Sequence, residues 1–392
     1  MTTKAPIKNV FGQDSLLIQT AEISVAVTLL GGHLAPVTFF RNTKAPVQPY
    51  RVFPWWNERI KMNNSPVLVP LRGDFFCMPF GSNDAPYHGE RHPSHGETAS
   101  RKWAFRNLCR RGMRTTLEME MRLMVRPGLA RKSISLRDGH NAIYCRHEAA
   151  GMSGRMCFGH HANIAFPDAE GSGLVSVAPF VHGQVYPRVF SDPREKAYQI
   201  LKPGSLFTSF SSVERIDGGM ADLSCYPARR GYDDLVMVCA ESSVYPGWSA
   251  VVFPGQKYVW FGLKDPKVLA STVLWHDNGG RHDPPWSGRS INTLGIEEVT
   301  SYFHEGLAPS AAKNPIKTMG IATDVQLSKT KPFVVNYIMG VARVPAGFGH
   351  VREIAAAGND LIIIRDENRK EVRASIHLPF LKDGKVGDEP SD

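Results

Sequence analysis

The sequence predicts a mainly β protein, a large sandwich or barrel with few short helices, and three observations carry that reading. Short runs of β-branched and aromatic residues recur along the whole chain. The 28 prolines and 35 glycines punctuate those runs, as many turns require and as disorder would not. Helical periodicity is scarce, and no short fixed repeat of the propeller or solenoid kind is visible. A chain of 392 residues is long for one domain, but all-β folds often exceed the usual size, and 42% hydrophobic residues suffice for a large core.

Taken in order, residues 15–40 read as paired strands. Ser15-Leu-Leu-Ile-Gln-Thr20 and Ile23-Ser-Val-Ala-Val-Thr-Leu-Leu30 are β-branched or alternating, and Gly31-Gly32 breaks the pattern before His33–Phe40. Further strands are expected over Arg114–Val125, Ala250–Phe253, Tyr258–Phe261, Phe333–Ile338 and Asp360–Arg365. A turn or two of helix is expected over Glu195–Leu201 and another over Pro266–Leu269. The segment Ala308-Pro-Ser-Ala-Ala-Lys-Asn-Pro315 reads as a linker. The chain then divides into a main β-sandwich body, residues 1–307, and residues 308–392, a linker with appended strands packed on that body. The polar tail Lys382–Asp392 is expected to be loose.

Charge and cysteine usage exclude several classes. The formal net charge is +9, but the basic residues are dispersed, with no Lys/Arg run interleaved with aromatics, so no nucleic-acid partner is expected. The six cysteines, Cys77, Cys109, Cys145, Cys157, Cys225 and Cys239, form no C-x-x-C pair, which argues against a zinc ribbon or a thioredoxin site. No stretch is long and apolar enough to span a membrane, and Met1-Thr-Thr-Lys-Ala-Pro6 lacks the apolar run of a secretory signal. A cytoplasmic protein with free thiols is the expectation.

Four polar clusters could carry chemistry. The strand-like stretch Leu294-Gly-Ile-Glu-Glu-Val-Thr-Ser-Tyr-Phe303 holds two adjacent carboxylates, which on a strand face opposite ways. One of them then points toward packed protein, where burial raises its pKa toward that of a general base. Glu298 shares its parity with Leu294, Ile296 and Tyr302, so alternation does not single out Glu297. The plainer reading is an ion pair with an arginine, or a strand edge. In Tyr87-His-Gly-Glu-Arg-His-Pro-Ser-His-Gly-Glu-Thr98, the histidines His88, His92 and His95 are conceivable metal ligands, or loop residues bonded to backbone. Pro93 disfavours the helix of a zincin, and His-Glu-x-x-His is absent. Gly96 lets a ligand or backbone approach closely, which suits a pocket-facing His95. In Cys157-Phe-Gly-His-His-Ala-Asn-Ile-Ala-Phe-Pro167, His160 and His161 face opposite ways, so one of the two meets any cleft. Val273-Leu-Trp-His-Asp-Asn-Gly-Gly280 and Pro284-Pro-Trp-Ser-Gly288 pair aromatic planes, Trp275 among them, with amides and carboxylates. That mixture suits a sugar, whose apolar face stacks while its hydroxyls hydrogen-bond, or a Gly-rich turn with core tryptophans.

Together these segments resemble the aldose 1-epimerase, or galactose mutarotase-like, superfamily over roughly residues 20–307. Gly31-Gly-His-Leu-Ala-Pro-Val37 is similar to its early Gly-Gly strand. Leu71-Arg-Gly-Asp-Phe-Phe-Cys-Met-Pro-Phe-Gly81, and His95-Gly96 followed by Trp103, resemble segments of hexose-6-phosphate mutarotases. Gly159-His-His-Ala-Asn163 and Leu294-Gly-Ile-Glu297 resemble the segments carrying the second active-site histidine and the catalytic glutamate. The resemblance implies a β-supersandwich with a shallow, cofactor-free cleft for a monosaccharide or related small carbohydrate. It also implies an isomerase in which Glu297 is the base and His161 the acid, with His95 and Arg72 binding the sugar and no metal; Trp275, from the aromatic cluster, is expected to bind the sugar with them. The chain departs from the pattern in two places. Glu97-Thr-Ala-Ser100 stands where phosphate-binding members carry an arginine, the nearest base being Arg101, and Asp217, Asp222, Asp233 and Asp234 compete for the sugar-binding aspartate. The alternatives are a non-catalytic carbohydrate-binding protein on the same scaffold and a metal-dependent sugar enzyme using His88, His92 and His95.

Overall fold

Alternation along single strands fixes the layering. In Gly247–Phe253, Val251 and Phe253 belong to one hydrophobic cluster while Trp248, Ala250 and Val252 belong to another. A strand buried on both faces has to lie in a middle layer. In the computed structural model, which describes residues 6–63 and 65–387, that layer is a nine-stranded antiparallel sheet. Its order is Cys225–Tyr226, Gly173–Val177, Gly247–Phe253, Tyr258–Lys264, Phe333–Arg343, Ala142–Ala150, Gly128–Arg137, Arg114–Leu123, Ala104–Arg111. A seven-stranded antiparallel sheet packs on one face of it, in the order Leu206–Phe207, Phe180–Val185, Tyr232–Ala240, Ser271–Asn278, Thr293–Thr300, Phe158–Ala165, Phe76–Cys77. The main core lies between them, with Trp260, Tyr337 and Met339 meeting Leu274 and Ile296. The N-terminal strands Ile7–Val10, Gln13–Gln19, Ser24–Thr28 and Leu34–Thr38 form a four-stranded sheet of their own.

The division expected after residue 307 runs through a hydrogen-bonded sheet. Phe333–Arg343 pairs with Tyr258–Lys264 on one side and Ala142–Ala150 on the other, so it is a central strand and not an appended one. Its long apolar run is what burial on both faces demands. Val351–Ala356, Leu361–Asp366 and Glu371–Ser375 make a three-stranded sheet of their own. Its Ile354, Ile362 and Ile364 share a cluster with Ala250, Val252 and Phe261 of the middle layer. Each such isoleucine contributes roughly 1.5–3 kcal/mol by burial. The C-terminal strands therefore cap a face of the middle layer that would otherwise be apolar and open.

The expected linker is partly helical. Leu307–Ala311 forms a short helix, and Pro315–Thr318 forms another, capped where the Asn314 side chain accepts from the Lys317 N–H. The helix expected over 195–201 shrinks to one 3-10 turn, Pro193–Glu195, and that over 266–269 to a turn on the Asp265 carbonyl. In the expected loose tail, Phe380–Asp383 is a helical turn and 388–392 lie outside the described residues, as do 1–5. Among the described residues no helix is long and apolar enough to cross a membrane.

Candidate functional site

Strand register alone brings an imidazole and a carboxylate together. Phe158–Ala165 pairs antiparallel with Thr293–Thr300, placing His161 opposite Glu297 and His160 opposite Glu298. Because side chains alternate faces, the two pairs diverge. His160 and Glu298 point into the sandwich. The His160 Nδ1 lies 2.9 Å from Asp74 Oδ2, and the Glu298 carboxylate accepts hydrogen bonds from Lys264, Ser249 and Thr272. His161 and Glu297 line a cavity of about 600 Å³ on the other face, with His161 Nε2 3.2 Å from Glu297 Oε1. Of each adjacent pair, only the odd-numbered residue meets the cavity.

Surrounding loops orient the imidazoles. Phe75 stacks between His33 and His161, at ring distances of 4.1 Å and 4.7 Å. His95 also lines the cavity, its ring centre 5.2 Å from that of His161. Its backbone is left-handed at φ 57, and Gly96 follows at φ 77. A Cβ at Gly96 would lie 2.1 Å from the Met78 carbonyl oxygen, so the close approach expected from that glycine is to backbone. Phe75 and Phe80 meet the His95 ring edge-on, and Cys77 Sγ lies 3.4 Å from its Nδ1. Of the other two histidines in that cluster, His92 pairs with Glu90 at 2.9 Å and His88 packs on Tyr87, so the three do not converge. No group of three metal-binding side chains occurs among the described residues.

Trp275 lines the same wall, its ring centre 5.9 Å from that of His161. It lies across the sheet from Gly295, on the strand beyond Glu297. A Cβ at residue 295 would come within 3.1 Å of both the Glu297 carboxylate and the Trp275 side chain. Glycine there lets the indole and the carboxylate sit side by side.

Arg72 is placed elsewhere, contrary to the sugar-binding role the resemblance implies. It is 1% exposed, and its guanidinium donates to the carbonyls of Pro70, Val10 and Phe11 at 3.1, 3.0 and 2.9 Å. The bonds to Val10 and Phe11 tie the N-terminal hairpin to the body, and none of the three reaches the cavity. The arginine on the cavity wall is Arg281, just past Gly279-Gly280. Its guanidinium carbon lies 5.0–5.6 Å from the ring centres of Phe190, Trp286 and Trp275, and its Nε donates to Asp233. Asp233, fully buried, also accepts from Trp275 Nε1 at 2.5 Å and Ser191 Oγ at 3.2 Å. Of the four competing aspartates, Asp233 thus stands behind the cavity wall, orienting both Trp275 and Arg281. Asp234 accepts backbone N–H groups of Ile200 and Leu201, and Asp217 and Asp222 cap exposed turns. Arg281, His304, Phe75 and the orienting role of Asp233 are absent from the sequence reading. The signals that point to them are a cation following the Gly-Gly end of the Trp275 strand, and a histidine just past the glutamate strand.

Burial sets the protonation of the site. It raises the Glu297 carboxyl well above its ordinary range, with the positive charge of Arg281 opposing. It drives His161 well below the ordinary imidazole value, reinforced by His95 and His33. His95 and His304 are lowered by burial to about 3. Both groups shift in the direction that removes charge, so the 3.2 Å contact joins a neutral carboxyl and a neutral imidazole rather than an ion pair.

No protein-family model matches the chain, and no curated protein matches its sequence. Solved structures do. A galactose mutarotase-like protein from Clostridium acetobutylicum has a TM-score of 0.57 at 11% identity, over 88% of this chain and 99% of its own. A galactose mutarotase related enzyme from Lactobacillus acidophilus has a TM-score of 0.53 at 12% identity, over 85% and 99%. A provisionally named aldose 1-epimerase from Klebsiella pneumoniae has a TM-score of 0.58 at 12% identity, over 85% and 80%. At such identities the likeness is one of fold. The chain shares the mainly β sandwich fold of these mutarotase-like and epimerase-named structures.

Proposed function

We propose that the protein is a cofactor-free isomerase that interconverts the anomers of a sugar by acid–base ring opening. The observation that carries this reading is the cross-strand pair, His161 opposite Glu297 at 3.2 Å on a cavity wall, with His95 beside it. Anomer exchange moves one proton off the anomeric hydroxyl and one onto the ring oxygen. Both oxygens are bound to the same carbon, so an acid and a base on one cavity wall can serve them together. Glu297 takes the proton from the anomeric hydroxyl as the C1–O bond becomes a carbonyl. His161 gives a proton to the ring oxygen as its bond to C1 breaks. Rotation about C1–C2 and closure by the reverse steps yields the other anomer.

The pair begins and ends with one proton, so no cofactor is needed to balance the reaction. The resting pair is neutral; a hydroxyl donating to Glu297 and a ring oxygen accepting from His161 favour the carboxylate–imidazolium arrangement that reacts. Arg281 assists, because its charge stabilises the carboxylate. Trp275 and Trp286 offer faces for the apolar side of the sugar, and the cavity, about 600 Å³, is of small-ligand size.

The test is magnetisation-exchange NMR on the α and β anomers of a panel of aldoses and their phosphates. An exchange rate raised above the spontaneous one for at least one sugar is expected. Saturable binding without faster exchange would make the protein a carbohydrate-binding one, and no binding at all would remove both readings. Gly295→Ala offers an independent check on the wall. The added methyl pushes the indole and the carboxylate apart by a few tenths of an ångström. Roughly tenfold slower exchange is expected, with a shifted tryptophan fluorescence and a melting temperature changed by only a few degrees.

A further inference from the structure

We infer that Cys77 is a positioning residue whose thiol donates its hydrogen to His95 Nδ1, which holds His95 as the tautomer carrying its proton on Nε2. The inference deepens the proposed function and rests on it for the use His95 makes of that proton. It concerns a residue to which neither the sequence reading nor the mechanism above gives a part.

The geometry is specific. Cys77 lies in the two-residue strand Phe76–Cys77, where it pairs across the sheet with Gly159, and its side chain is fully buried. Its Sγ is 3.4 Å from His95 Nδ1, within range of a hydrogen bond to sulfur, and no other hydrogen bond of this thiol occurs among the described residues. Burial, reinforced by Glu297 and Asp74, pushes the Cys77 thiol pKa well up, so the S–H is intact near neutrality. His95 is neutral, because burial lowers it to about 3. A neutral imidazole has one donor and one acceptor nitrogen. Thiol sulfur is a poor acceptor and imidazole nitrogen a good one, so the bond runs from S–H to Nδ1. The ring cannot turn to escape this choice. It is fixed by edge contacts to Phe75 and Phe80, and its backbone is held by the His95 N–H donating to the Gly81 carbonyl at 2.7 Å.

The consequence is a histidine that can only donate toward the cavity. An Nε2–H hydrogen-bonds the ring oxygen as the C1–O bond lengthens, but cannot act as the base, which leaves that role to Glu297. It also has no lone pair to offer a metal ion on the cavity side, in contrast to the alternative that used His95 as a ligand.

The experiment is two-bond ¹⁵N–¹H correlation NMR on the intact protein labelled with ¹⁵N-histidine, with His95 assigned by comparison with His95→Gln. The wild type is expected to show Nε2 protonated and Nδ1 bare from pH 6 to 8. Cys77→Ala is expected to give a mixture of tautomers and a kcat lower by about five- to tenfold with KM little changed. Cys77→Ser, whose hydroxyl is also a donor, is expected to restore both the single tautomer and the rate. Should Cys77→Ala fail to fold, the wild-type and Cys77→Ser spectra still decide. A proton on Nδ1 in the wild type, or an unchanged tautomer in Cys77→Ala, overturns the inference. Because the spectra need no turnover, a locked tautomer in a protein that exchanges no anomers would refute the proposed function and leave the role of Cys77 standing.

Discussion

Glu297→Gln is expected to slow anomer exchange by about 10²- to 10⁴-fold while leaving a fully folded protein, and its neighbour Glu298→Gln to do the opposite. Both carboxylates are buried, at 2% and 0% exposure, but their surroundings differ. Glu298 accepts hydrogen bonds from Lys264, Ser249 and Thr272 inside the sandwich. Removing its charge strands the Lys264 ammonium in the core, which typically costs about 3–5 kcal/mol. Glu297 has no full ionic partner, and its carboxyl is held well above its ordinary range by burial. An uncharged amide of the same shape removes that penalty. Glu297→Gln should therefore be at least as stable as the wild type at alkaline pH, a pattern that marks a residue kept for chemistry at a cost in stability. Urea denaturation and exchange NMR on both variants provide the check. Full exchange activity in folded Glu297→Gln would end the proposed mechanism, and an undiminished stability of Glu298→Gln would contradict the buried ion pair.

That contrast also shows what could be seen beforehand. The β content was legible because β-branched runs and turn residues depend on local steric preferences. The face on which each glutamate lies was not. All eight residues of Thr293–Thr300 are buried, since loops cover the outer face and the second sheet covers the inner one, so apolarity cannot distinguish them. The register that sets His161 against Glu297 joins segments well over a hundred residues apart, and only the resemblance to known segments pointed to the pair. Trp275 and His95 were legible from the company they keep in sequence. Arg72 was misread because its partners, the Val10 and Phe11 carbonyls, lie some sixty residues away. Arg281 was overlooked for the converse reason: what makes it a wall residue is Asp233, a carboxylate on a different strand. The boundary placed at residue 307 followed a Pro/Ala/Ser-rich composition. Composition cannot show that a strand beyond it returns to the centre of the sheet.

Stability is expected to peak near neutral pH and to collapse on acidification. Eight histidines are held below their ordinary pKa by burial: His33, His95 and His304 at about 3, His140 and His276 at about 4, with His92, His147 and His161 also lowered. Each takes up a proton near pH 6.5 once the chain opens but not while it is folded, so stability is lost as pH falls through that value. His95 and His304, partly open to the cavity, count for less than the others. Four buried carboxylates pull the other way: Asp234 raised to about 7, with Asp233, Asp277 and Glu297 also raised. Their folded pKa values lie above the unfolded ones, so their contribution is greatest at low pH and is lost as pH rises. Below neutrality the lowered histidines outnumber the raised carboxylates, so stability falls as pH drops through the unfolded histidine value. Above neutrality the histidines are uncharged in both states, and Glu297 and Asp277 set a gentler decline. Glu297→Gln should flatten that alkaline decline and leave the acid limb where it was. Urea midpoints from pH 4.5 to 9 measure both limbs. A stability that climbs steadily to pH 9, or an alkaline limb identical in Glu297→Gln, would mean that the buried carboxyl of Glu297 does not hold its proton in the folded protein.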